Sequence, residues 1–217
     1  WHGKDAPYVI YKSNSCLAIG KNASIYAMQF PSIEIASSIN IDDFKLDELK
    51  QYPMIILAGS EWHNRLQAEK IILEYSKSGG KVIVDLTGFP SDVLSRQPKF
   101  LGIFGEPIEL TRSLVIKKGL YTQVLGSFSQ EFKVWKTMAP QPLDNITVSF
   151  DYMGNEAALI GYKTIANNKI WFLGGNLAYH TFLTGDKSGL ELLRNVTGLS
   201  TDFVCPELIT VDRYSVN

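Results

Sequence analysis

Histidine and cysteine are scarce in this chain. There are three histidines, His2, His63 and His180, and two cysteines, Cys16 and Cys205. Neither cysteine belongs to a CxxC pair and no HExxH pattern occurs, so no metal site is expected, zinc included. Cys16 and Cys205 read either as idle buried thiols or as one disulfide formed in an oxidising compartment, and the sequence leaves both open. Excess charge is missing too. Lysine and arginine number 21 against 22 acidic residues, a net charge of -1, which argues against nucleic acid as the main partner. Long apolar runs are also absent. Met54-Ile55-Ile56-Leu57-Ala58 is among the longest and is far too short to span a bilayer. The chain opens Trp1-His2-Gly3-Lys4 with no initiator methionine. The simplest expectation is a single domain over residues 1–217, cut from a larger protein whose flanks hold any membrane span, with an extracytoplasmic setting favoured over a cytoplasmic one.

Hydrophobic residues are plentiful, at 45%, enough to fill a core and to exclude a disordered chain. Tyr8–Tyr11 reads as a first strand, and 16–29 as a first helix interrupted by Gly20. Ile33–Ala36 reads as a second strand, and 42–50 as a polar helical turn. Met54–Ala58 is apolar on both faces, as a strand buried in a parallel sheet must be. A long amphipathic helix is expected from Trp62 to Ser78, with Leu66, Ile71, Ile72 and Tyr75 on one face. Gly79-Gly80 stops it, and Lys81–Asp85 is the next buried strand. Strand, helix, Gly-Gly, strand is the pattern of a βαβ crossover. Further on, strands are expected near 114–116, 146–150 and 157–160. Asn167-Asn168 turns a hairpin between 160–165 and 169–173, and 189–195 forms a last helix. The segment 100–156 is the least defined, readable as an insertion.

Three stretches carry a resemblance to a known family: Met54-Ile-Ile-Leu-Ala-Gly-Ser60, Gly79-Gly-Lys-Val-Ile-Val-Asp85 and Asn168-Lys-Ile-Trp-Phe-Leu-Gly-Gly175. Their order resembles the class I glutamine amidotransferase-like superfamily. It is similar above all to the non-amidotransferase branches found in trehalose-utilisation-type proteins and in one domain of some β-galactosidases. The resemblance implies an α/β, flavodoxin-like three-layer sandwich, with a mostly parallel central sheet and a late antiparallel insertion or hairpin. In the true amidotransferases a cysteine sits on the turn after a central strand, and a histidine and a glutamate follow a late strand. Here that turn reads Leu86-Thr87-Gly88, without cysteine. The late strand leads to His180, but position 182 is Phe182. The resemblance therefore implies that transfer of amide nitrogen is lost.

In open parallel sheets, ligands sit beyond the carboxyl ends of the strands. That rule gathers Gly59, Ser60, Thr87, Gly88, Asn176 and His180 as candidate ligand-binding residues. Asp85, Glu61 and His180 are the candidate acid–base groups. Backbone amides at Gly59 and Gly88 are candidates for holding an anion or a carbonyl oxygen. Each position has a plainer reading. Asp85 and Ser60 are common caps, His180 suits a packed histidine as well as acid–base work, and Trp62 and His63 fit either a sugar crevice or a buried helix start.

The leading functional expectation is a non-catalytic domain that binds a ligand or another protein. The ligand is an unknown small molecule or carbohydrate, and no cofactor is expected. The alternatives are a hydrolase of a sugar or small metabolite acting through Asp85, Glu61 and His180, and an assembly domain of a carbohydrate-active enzyme.

Overall fold

The computed structural model describes residues 15–89, 100–110, 113–119, 121–125 and 135–199. The expected strand at Tyr8–Tyr11 and Cys205 lie outside these residues.

Two kinds of sheet share one hydrogen-bonded surface. The first kind comprises β1 (Cys16–Ile19), β2 (Ile33–Ile35), β3 (Met54–Ala58), β4 (Lys81–Asp85) and β11 (Asn168–Leu173). These run parallel in the order β2-β1-β3-β4-β11. The second comprises β10 (Asn155–Ile165), β9 (Asn145–Tyr152), β6 (Leu114–Lys118) and β7 (Tyr121–Leu125), which continue the same sheet antiparallel beyond β11. β5 (Phe104–Leu110) and β8 (Trp135–Gln141) form a separate antiparallel ribbon.

This overturns the expectation of a flavodoxin-like, mostly parallel sandwich. Among the described residues, four strand pairings are parallel and five are antiparallel. The reason lies in the connections. Parallel neighbours need long crossovers, whereas antiparallel neighbours close with tight turns. Three such turns are present: Gly119 at φ +58°, Met153-Gly154 at +52° and +79°, and Ala166-Asn167 at +49° and +68°. The late antiparallel part is thus half of the main sheet and not an insertion.

Side-chain alternation along the parallel strands builds two cores. Leu17, Ile19, Ile55, Leu57, Val82, Val84, Ile170 and Phe172 face one side. There they meet α3 (Arg65–Lys77) through Ala68, Ile71, Ile72 and Tyr75, and α2 (Leu46–Leu49) through Leu49. Cys16, Ala18, Met54, Ile56, Ala58, Ile83 and Leu173 face the other. That side is covered by α1 (Ala23–Gln29), α4 (Leu177–Thr184) and α5 (Ser188–Thr197). A strand covered on both faces must be apolar at every position, which is why β3 reads as an unbroken apolar run.

Several local expectations need correction. Residues 16–19 form a strand and not the start of a helix. Gly20 ends the strand at φ +127°, where a Cβ would lie 2.2 Å from Ala58 O. Leu66 is exposed and does not join the buried face of α3. Residues 177–184 are helical where the sequence pattern predicts no element. Cys16 is a free buried thiol, and burial raises its pKa to about 12. No described helix is long and apolar enough to cross a membrane.

Lys81 shows how alternation places polar groups. Lys81, Ile83 and Asp85 share one face of β4. At the start of the strand, Lys81 Nζ donates to the carbonyls of Val196 and Thr197 (3.1 Å to the latter) at the end of α5. A cation there satisfies two terminal carbonyls and complements the helix dipole. Lys81→Met is expected to lower unfolding free energy by about 1 kcal/mol. Gly20→Ala, which meets both the positive φ and the Ala58 carbonyl, is expected to cost at least about 3 kcal/mol. Urea titration of the two variants against the parent measures both; a smaller loss for Gly20→Ala than for Lys81→Met contradicts the steric argument.

Candidate functional site

The carboxyl ends of β1, β3 and β4 meet closely. Lys21 and Asn22 donate backbone N–H groups to Gly59 O (3.2 Å) and Ala58 O (3.0 Å). A Cβ on Gly88 would lie 2.5 Å from Gly59 Cα and 2.6 Å from Asn22 Nδ2. Gly59 and Gly88 are therefore packed against one another and the Asn22 amide. Close approach of chains explains both glycines, and neither lines the cleft described below.

Asp85 is the charged group at this junction. It ends β4, is 3% exposed and caps the 3-10 turn Leu86–Gly88. One carboxylate oxygen accepts from the Thr87 backbone N–H (2.9 Å) and the Thr87 hydroxyl (2.6 Å). The other accepts from the Tyr26 hydroxyl of α1 at 2.6 Å. Burial raises the pKa of Asp85, while the bonds from Thr87 and Tyr26 oppose that shift. The Tyr26 phenol is driven well above its usual value, first by burial and then by the Asp85 charge.

Beside this group opens a cleft of about 320 Å³, lined by Asn22, Ile25, Tyr26, Asp85, Thr87, Asn176, Ala178 and Tyr179. Strand ends supply Asp85 and Thr87, and α1 and α4 supply the walls. Asn176 precedes α4, and its Oδ1 is buried with no hydrogen-bond partner among the described residues.

Of the residues singled out in the sequence, the cleft gathers Asp85, Thr87 and Asn176. It leaves out Gly59, Ser60, Glu61, Gly88 and His180. The Ser60 hydroxyl is buried and donates to Ile19 O at 2.6 Å. It does not cap the long helix, because Asn64 does so by accepting from Gln67 N–H at 3.2 Å. Glu61 pairs with Lys21 at the surface. His180 is fully buried within α4. The three proposed acid–base groups therefore do not meet in the cleft. Trp62 stacks on Phe100 with ring centroids 5.2 Å apart and packs against the second core, and His63 approaches Asp43 at 3.3 Å. Neither lines the cleft. No cluster of three or more histidine, cysteine or acidic residues among the described residues is placed to hold a metal.

Asn22, Tyr26 and Tyr179 were missed. Reading 16–29 as one helix hid the strand end before Asn22. The absence of any sequence signal for a helix between Gly175 and Gly189 hid the helical turn that presents Tyr179.

Relationships to other proteins follow this geometry. A family model described as "Domain of unknown function (DUF8560)" matches residues 15–180. The chain belongs to this family. The matched span of this DUF8560 member includes every residue that lines the cleft. No curated protein matches it. Solved structures similar in fold include the following two. The mmIFT52 N-terminal domain superposes with TM-score 0.60 and 12% identity, covering 84% of this chain and 95% of that one. The exo-beta-1,4-mannosidase Op5Man5 from Opitutaceae bacterium strain TAV5 superposes with TM-score 0.51 and 13% identity, covering 86% of this chain and 36% of that enzyme. This chain thus spans about a third of the mannosidase.

The Asp85 cluster makes two expectations. Tyr26→Phe removes one donor from a buried carboxylate and is expected to cost about 1–3 kcal/mol. Because the folded pKa of Asp85 is raised, the folded protein holds this proton more tightly than the unfolded chain. Its contribution is complete below the unfolded pKa and is lost as pH rises through the folded one. Urea midpoints measured between about pH 4 and about pH 8 should carry this decline, and Asp85→Asn should remove it; an identical decline in the variant assigns it to another group.

Proposed function

We propose that the chain is a non-catalytic, amidotransferase-like domain that binds a small ligand at the carboxyl ends of its parallel strands, within a larger protein. One observation carries the reading. Asp85, the acidic side chain of the cleft, already accepts three hydrogen bonds from Tyr26 and Thr87, while Asn176 presents an unmet acceptor beside it. The first feature disfavours Asp85 as a base, since three of its four lone-pair sites are engaged and one is left for a ligand. The second is what a recognition surface needs, a fixed polar atom whose partner is supplied by the ligand. No cysteine stands at Leu86-Thr87-Gly88, and among the described residues no histidine lines the cleft to activate Thr87. The hydrolase alternative loses support because Glu61 and His180 lie outside that lining.

A second reading draws on the mannosidase likeness. A fold shared with about a third of that enzyme is compatible with an assembly domain in a carbohydrate-active protein. The cleft favours the first reading, because assembly alone does not require it.

The test is thermal shift and NMR titration with sugars, polyols, amino acids and amines. Saturable binding is expected that Asn176→Ala or Tyr179→Ala weakens about tenfold, the loss of one good hydrogen bond or aromatic wall. Turnover of aryl glycosides or esters that Asp85→Asn abolishes would overturn the proposal in favour of the hydrolase.

A further inference from the structure

The polar inventory of the cleft leans towards acceptors. Asn176 Oδ1 is an acceptor with no partner among the described residues. The Thr87 hydroxyl spends its proton on Asp85 and the Tyr26 hydroxyl does the same, so both oxygens are left only lone pairs to offer. The Asp85 carboxylate is acceptor-only when ionised. Four groups with acceptor capacity therefore belong to the residues of one lining, with Asn176 Oδ1 buried in its wall. Of the donors, the Asn22 amide nitrogen is packed towards Gly59 and Gly88, which leaves the Asn176 amide nitrogen and the Tyr179 hydroxyl.

Charge is one-sided as well. Among the described residues, the lining contains one carboxyl and no lysine, arginine or histidine. Lys21, next to the lining in sequence, pairs instead with Glu61. A buried carboxylate that holds hydrogen bonds but no countercharge is costly to keep ionised. Tyr26 and Tyr179 supply ring surface at the same place, and aromatic faces attract cations.

We infer that the cleft binds a small organic cation bearing a primary ammonium group, with the ammonium N–H donors directed to Asp85, Thr87 and Asn176 and the carbon skeleton against Ile25 and Tyr179. An ammonium carries three donors and no acceptor, which matches a pocket of acceptors. A neutral hydroxyl would bring an acceptor of its own into that pocket. This inference rests on the ligand-binding reading above and names the chemical class of its ligand.

The coupling to protons follows from the same residues. An entering ammonium favours ionised Asp85, so binding strengthens as pH rises through the Asp85 titration and releases a proton below it. The other titratable side chains around Asp85 are Tyr26 on α1 and Tyr179 on α4, both in the lining, and Cys16 on β1, whose charge Tyr26 senses. Burial raises Tyr26 and Cys16, so neither ionises near neutral pH.

The experiment uses matched probes on the full chain: cyclohexylammonium against cyclohexanol, ethanolammonium against ethylene glycol, and glucose as a neutral polyol. NMR titration near neutral pH should show the ammonium member of each pair binding at least about tenfold more tightly, with shifts at Thr87, Asn176 and Tyr179. Calorimetry in phosphate and in MOPS, neither of which carries a primary ammonium, should differ in enthalpy through the released proton as pH falls into the Asp85 titration, and Asp85→Asn should erase both the preference and the buffer dependence. An Nα-acetyl-lysine methylamide arm separates a lysine presented by a partner protein from a free amine; stronger binding of the lysine probe points to the protein source. Equal binding of charged and neutral members, or tighter binding of glucose, overturns the inference while leaving the ligand-binding reading in place. Failure of every probe to shift cleft residues overturns both. The comparison of charged with neutral probes is made on the unsubstituted chain, so it holds even where Asp85→Asn folds poorly.

Discussion

The buried carboxylate of Asp85 is the constraint around which this molecule is arranged. A carboxylate removed from water needs donors, and here they come from two elements: the hydroxyl of Tyr26 on α1, and the backbone and hydroxyl of Thr87 after β4. The Tyr26 bond joins residues 59 positions apart. It fixes α1 against the end of the central strand, and the wall of the cleft is consequently a helix face held by a hydrogen bond to its own floor. Charge-assisted bonds of this kind are roughly twice as strong as neutral ones, so the floor and the wall are coupled energetically.

β4 distributes this order through the rest of one face. Lys81, Ile83 and Asp85 alternate with Val82 and Val84, so the polar residues at both ends point to the side of α1, α4 and α5. Lys81 closes the last turn of α5, Ile83 packs in the core beneath and Asp85 receives Tyr26. One five-residue strand thereby anchors a helix at each end. Its neighbour β11 is the last parallel strand, and beyond it the sheet is built from the β9-β10 and β6-β7 hairpins, joined by the longer-range β6-β9 pairing. Within each hairpin a local turn suffices and no crossover helix is needed.

The parallel half was legible because its strands are buried on both faces and announce themselves as short apolar runs. Met54–Ala58 and Lys81–Asp85 coincide with the observed strands residue for residue. The antiparallel half was only partly legible. Its strands alternate or carry charges, as in Asn155–Ile165, and the extent of pairing depends on partners distant in sequence. The helix assigned to 16–29 holds over Ala23–Gln29 and failed over Cys16–Ile19 for a related reason. Cys-Leu-Ala-Ile is compatible with either period, and the Gly20 turn that decides the matter is set by contact with Ala58.

At the site, strand-end reasoning found Asp85, Thr87 and Asn176 because the ends of β4 and β11 are adjacent by topology. It placed Ser60 and Glu61 wrongly, because the end of β3 turns back into the chain instead of opening. Glu61 N–H bonds to Ile39 O and its carbonyl accepts from Ile41 N–H, which draws that segment away towards β2. The space so vacated is filled by Gly59 against Gly88, and these contacts carry no side chain that a sequence pattern can flag. The walls that remain come from the first turns of α1 and α4. An aromatic at such a position is ordinary core material by composition. Only the three-dimensional adjacency of Tyr26 to a carboxylate, and of Tyr179 to Asn176, distinguishes it as part of the cleft wall.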